Sequence, residues 1–98
     1  MPAYLVVDIV VHDPEQYAGY VEQAPAHVEK HSGKYIVRGG NAALVEGGWC
    51  PSRFVVVEFP SKAHAQAFLD DEAYQAVADI RRASTDSKMI LVDGFDGH

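Results

Sequence analysis

Ninety-eight residues and 10.7 kDa make one domain, 1–98, because a chain this short cannot divide into two self-supporting cores. An apolar share of 48% with 22% charged residues is globular and excludes a disordered or collagen-like chain. Fourteen acidic against eight basic side chains leave a formal charge of -6, which repels phosphate backbones and anionic lipid and argues against nucleic acid or a membrane surface as partner.

The opening run Ala3–Val11 is rich in β-branched residues and has strand length. It has no basic region before it, is interrupted by Asp8, and falls short of the roughly 20 apolar residues of a membrane span. The expectation is a cytoplasmic domain. Asp13 is a good helix N-cap and Pro14 suits the first helical position. Tyr17, Tyr20, Val21, Ala24 and Val28 then recur at spacings of three and four, which predicts one apolar helical stripe. Pro25 lies inside that stripe and predicts a break or kink near Gln23–Ala24. Ser32-Gly33 ends the helix, with glycine taking the left-handed conformation.

Lys34–Arg38 reads as a second strand closed by Gly39-Gly40, with Ala42–Glu46 continuing it after a bend. Gly47–Ser52 is a loop by composition. Arg53–Phe59 is a third strand stopped by Pro60. Ser61 caps a helix that Asp70-Asp71-Glu72 interrupts or restarts, and Lys88–Asp93 is the last strand. The order is βαββαβ, the α+β ferredoxin-like split βαβ: an antiparallel sheet with two helices on one face, strands one and three central.

Such a sheet should alternate apolar and polar, and two strands do not. Strand one carries Leu5, Val7 and Ile9 on one face but Tyr4, Val6 and Val10 on the other. Strand three sets Val55, Val57 and Phe59 against Phe54 and Val56. The helices cover one face only, so the second leaves an apolar patch larger than a monomer tolerates. At about 25 cal/mol per Å², covering roughly 500 Å² per subunit is worth on the order of 12 kcal/mol before association costs. A second copy is the simplest cover, which predicts a homodimer joined sheet to sheet.

Tyr35-Ile-Val-Arg-Gly-Gly40, Gly48-Trp49-x-Pro51-x-Arg53, Val56-Val-Glu-Phe-Pro-Ser61, Tyr74-Gln-Ala76 with Arg81, and Leu91-Val-Asp-Gly94 together resemble the family of domain of unknown function 1330. The likeness extends over nearly the whole chain, including Asp13-Pro14 and the tyrosine-bearing helix. It implies membership of the dimeric α/β-barrel superfamily, in which ferredoxin-like subunits pair through their sheets. That superfamily holds cofactor-free monooxygenases, haem-degrading enzymes, isomerases and ligand-sensing modules, so the resemblance implies an architecture and no particular reaction.

Arg38, Arg53 and Arg81 fall on these motifs, and a guanidinium fork holds a carboxylate or phenolate well. The competing and weightier explanation is structural. Arg38 or Arg53 would pair with Asp8, Glu58 or Asp93, three carboxylates assigned to the sheet face that forms the interface. Tyr20, Tyr35 and Tyr74 can line a cleft between helices and sheet, or serve as core residues with one tip in water. Asp8 and Glu58 would form an acid–base pair if close. Trp49 reads as packing across the dimer rather than as a lid.

His27 and His31 have a metal-ligand spacing, but Val28 rather than glutamate follows the first. A third ligand would have to come from His12 or His64, so no metal and no cofactor are assigned. Lone Cys50 has no basic neighbour to activate it. The functional expectation is a small homodimer that binds or transforms a small organic molecule in the helix–sheet cleft, with Tyr20, Arg38, Arg53, Tyr74 and Arg81 as ligand-binding candidates and the question of catalysis open. The alternatives are a non-catalytic structural or regulatory dimer and, more weakly, a haem or metal-dependent monooxygenase-like enzyme.

Overall fold

A computed structural model describes residues 1–95. It has four strands and three helices in the order β1 (Ala3–Val11), α1 (Pro14–Lys30), β2 (Lys34–Gly40), β3 (Arg53–Phe59), α2 (Lys62–Asp70), α3 (Glu72–Ser84) and β4 (Thr85–Asp93). The sheet is antiparallel with order β2-β3-β1-β4, the ferredoxin-like arrangement expected from the element order. Ala3, Leu5, Val7 and Ile9 of β1 and Val55, Val57 and Phe59 of β3 are buried beneath the helices with Tyr17, Val28, Phe68, Tyr74 and Ala78.

The opposite face keeps the excess of apolar residues that the strands foretell. Val37, Val56, Val6 and Ile90 align as one row across all four strands, with Val37 37% and Ile90 61% exposed. The chain is a slab of 40 × 38 × 16 Å, one layer of helix on one of sheet.

Several local expectations change. α1 runs through Pro25 without interruption. Proline cannot donate to the carbonyl four residues back, that of Val21, and the Arg38 guanidinium takes the vacated oxygen at 3.1 Å. At the end of α1 the left-handed residue is Ser32, at φ 65°, not Gly33. Gly33 is needed for space, since a Cβ there would stand 2.7 Å from the Phe59 ring. Residues 41–45 form no strand, and β4 begins at Thr85 rather than Lys88. Asp93 aligns with Ala3, in the row of the helix-covered face. It therefore does not share a face with Asp8 and Glu58.

Asp71 divides the second helical stretch in two. It closes α2, and its carboxylate accepts from the Ala73 N–H to cap α3. The same carboxylate meets His31 at 2.8 Å and Lys30 at 2.9 Å, tying the end of α1 to the α2–α3 joint. The His31 hydrogen bond and then the Lys30 ammonium hold its pKa well below the carboxylate range. A depressed folded-state pKa contributes stability that is complete above about pH 4, the unfolded value, and is lost as pH falls below it. Asp71→Asn keeps an oxygen for the cap but removes the charge. It is expected to be less stable than the wild type at pH 7, with the difference shrinking progressively as pH falls below about 4 in acid-unfolding curves.

Candidate functional site

α1 and α3 lie over the sheet so that their tyrosines meet above β1 and β3. Tyr17 and Tyr20, one turn apart on α1, stack with ring centroids 5.8 Å apart. Tyr20 meets Tyr74 of α3 edge-on, and their hydroxyls are 2.8 Å apart. Beneath them is a cavity of about 30 Å³ whose lining includes Tyr17, Tyr20, Tyr35, Tyr74, Arg38, Arg53, Arg81 and Met89. All five ligand-binding candidates, Tyr20, Arg38, Arg53, Tyr74 and Arg81, thus converge on one space from α1, β2, β3 and α3.

Each arginine stands over a tyrosine ring and is held by a neutral acceptor. Arg38 lies 4.8 Å from the Tyr35 centroid and donates to the Val21 carbonyl. Arg53 lies 5.6 Å from the Tyr17 centroid, and its Nε donates to the Tyr17 hydroxyl at 3.1 Å. Gly39, at φ 72°, makes this placement possible, because a Cβ there would collide with the Arg53 guanidinium. Arg81 lies 5.8 Å from the Tyr20 centroid and donates from Nη1 to the Ser87 hydroxyl at 2.6 Å. It is 8% exposed, and its Nε has no partner among the described residues.

The expected pairing of Arg38 or Arg53 with Asp8, Glu58 or Asp93 does not occur. Ion pairs among the described residues join Lys30 and His31 to Asp71, Lys34 to Glu58, and Arg82 to Asp79. For Asp8 and Glu58 the reason is the pleat, since Arg53 aligns with Ile9 and Arg38 with Val55 on the helix side while these two carboxylates point away; Asp93 shares the helix side but aligns with Ala3, at the other end of β1 from Ile9. Glu58 accepts from the Tyr4 hydroxyl at 3.0 Å, and Asp8 accepts from the Trp49 indole at 2.9 Å. Asp8 and Glu58 are no acid–base pair, being aligned with Phe54 and Tyr4 respectively, four residues or about 13 Å apart along the strands. Trp49 also meets Phe54 edge-on, so the loop folds back on its own sheet face.

Burial, with the Tyr74 hydroxyl beside it, pushes the Tyr20 phenol above the ordinary tyrosine range, and burial raises Tyr35 as well. At neutral pH both are proton-bearing donors, not bases. Among the described residues no aspartate, glutamate or histidine lines the cavity. The histidines are dispersed: His31 on Asp71, His64 on Ser61, His27 beside the Tyr74 ring. No group of three His, Cys, Asp or Glu side chains able to hold a metal comes together among the described residues.

Tyr17 and Ser87 are site residues that the motifs do not single out. Tyr17 is legible in retrospect as the turn-neighbour of Tyr20; Ser87 is visible only once β4 is known to start at Thr85.

Comparison with solved structures returns the same fold. A protein of unknown function from Rhodopseudomonas palustris, RPA0582, superposes with a TM-score of 0.79 at 20% identity, covering 97% of this chain and 83% of that one. SnoaB, a cofactor-independent oxygenase from Streptomyces nogalater, superposes at 0.72 with 15% identity, covering 97% and 94%. An antibiotic biosynthesis monooxygenase superposes at 0.55 with 18% identity, covering 97% and 99%. No curated protein matches the chain. The family model for Domain of unknown function (DUF1330) matches residues 2–95, and with the motifs around Arg38, Arg53, Tyr74 and Arg81 now seen to meet in one cleft, the chain belongs to the DUF1330 family.

Proposed function

We propose that the protein is a small homodimer, paired through its sheets, that binds a small organic molecule in the cleft between helices and sheet. The observation that carries the binding reading is the convergence of three arginines and four tyrosines from separate elements on one cavity. A core built for stability alone does not bury an arginine such as Arg81 without a counter-charge, beside a half-buried Arg53 and with Arg38 at the exposed rim. The dimer rests on the uncovered Val37–Val56–Val6–Ile90 row of a slab 16 Å thick.

Binding is favoured over acid–base catalysis because the described residues lining the cavity supply donors and cations but no carboxylate or imidazole to accept a proton. The fold shared with a cofactor-independent oxygenase leaves room for a bound molecule to react without a resident cofactor.

Thermal-shift measurements against a panel of small aromatic acids, phenols and neutral aromatics test the reading. At least one class is expected to raise the melting temperature of the wild type by several degrees. Ala24→Val, which adds two methyl groups to the cavity wall, is expected to fold and lose the response. A wild type that no compound stabilises would instead point to a dimer whose polar residues serve assembly alone.

A further inference from the structure

The inner cavity is ringed by charge of one sign, in a chain whose overall charge has the other. Three of the eight basic residues surround the cavity, and among the described residues no acidic one lines it. The anchors of these arginines are a carbonyl and two hydroxyls, which fix each guanidinium without neutralising it. Arg81 is the extreme case: 8% exposed, lining the cavity, with Nε unpartnered. A buried donor without an acceptor is a costly arrangement that a bound acceptor relieves. The Tyr20 and Tyr74 hydroxyls stand by as further donors, kept protonated by burial in the case of Tyr20.

Volume divides the site in two. The inner cavity of about 30 Å³ matches roughly one water molecule, while a cavity that admits a benzene ring measures about 150 Å³. An open groove of about 500 Å³ adjoins it, walled by Val11, Pro14, Ala18 and Glu22 and sharing Tyr17, Val21 and Arg53 with the inner cavity. A head group fits inside and a ring does not; the groove has the apolar wall, from Val11, Pro14, Ala18 and Val21, that a ring requires.

We propose that the cleft takes an aromatic carboxylate. Its carboxylate replaces water in the inner cavity against Arg81 and the Tyr20–Tyr74 hydroxyls, and its ring lies in the groove beside Tyr17 and Arg53. The inference rests on the cleft being a binding site, and adds to it the charge and shape of what binds.

Titration calorimetry with benzoate and 2-naphthoate, each against its own amide and against acetate, is the test. The acids are expected to bind at least tenfold more tightly than the amides and than acetate. Arg81→Met should erase the preference for acid over amide, and Tyr20→Phe, which preserves the ring, should weaken the acid several-fold while leaving the amide unchanged. Amides that bind as well as acids, or a preference that survives both substitutions, would overturn the anionic ligand and leave the cleft reading intact. Acetate binding as tightly as the aromatic acids would overturn the aromatic half. Heat from none of these probes would remove the inference and the cleft reading together if the wider thermal-shift panel is also silent, and the carboxylate alone if that panel yields a neutral ligand.

Discussion

Ile90→Glu is expected to turn a pair of 10.7-kDa chains into folded single chains. Ile90 ends the apolar row that begins at Val37 and is 61% exposed within one subunit, so glutamate there costs the isolated fold little. Across the proposed two-fold interface the substitution would place a carboxylate, twice over, against the apolar row of the facing sheet. Desolvating each unpaired charge costs about 3 kcal/mol or more, which weakens the dissociation constant by more than a hundredfold. Sedimentation equilibrium at micromolar concentration reads the result directly. Ala83→Glu, on the exposed surface of α3, should leave the assembly unchanged. A wild type that sediments as one chain, or an Ile90→Glu protein that still pairs, refutes the sheet-to-sheet dimer.

The second large effect runs against intuition. Arg81→Met is expected to stabilise the protein while depriving it of its ligand response. Arginine at this position gives up water for one hydrogen bond to Ser87 and the face of Tyr20, and leaves Nε unsatisfied. No carboxylate lies within ion-pair distance among the described residues. Methionine fills a similar volume, adapts to an irregular wall and carries no charge. The expected gain is about 1–2 kcal/mol after the lost cation–π contact is deducted. For a domain of this size each kcal/mol moves the melting temperature by roughly 4–8 °C. A loss of stability of similar size would mean that the guanidinium is a structural strut, and that its missing partner has no functional meaning.

The architecture was legible because its determinants are local and periodic. Alternation, caps and breakers place the strands and helices along the chain, and the surplus of apolar residues on the even positions of β1 already describes a face that the helices do not reach. The site was half legible. Motif membership points to Arg38, Arg53 and Arg81, but their partners depend on which side of the pleat each residue occupies. That side is decided for β2 by irregular register between Tyr35 and Val37 and between Arg38 and Gly40. A bulge leaves no periodic trace in composition, so pairing Arg38 with Asp8 or Glu58 is reasonable in one dimension and wrong in three, whereas the plain alternation of β3 already puts Arg53 on the face of Val55 and Val57. Pro25 failed for a related reason: the rule that proline breaks helices holds when the stranded carbonyl finds nothing, and here a side chain from another element reaches it.

That proline leaves α1 one adhesive point on a backbone otherwise saturated with its own bonds. The vacated carbonyl is where the guanidinium of an edge strand docks on the middle of the helix, so the address of Arg38 is written thirteen residues upstream of it. Edge strands are held by neighbours on one side alone, and the pairing of β2 with β3 is broken by two shifts of register. The tether from Arg38 to the Val21 carbonyl gives that strand an outboard fastening and carries the rim of the cleft along with the helix that roofs it.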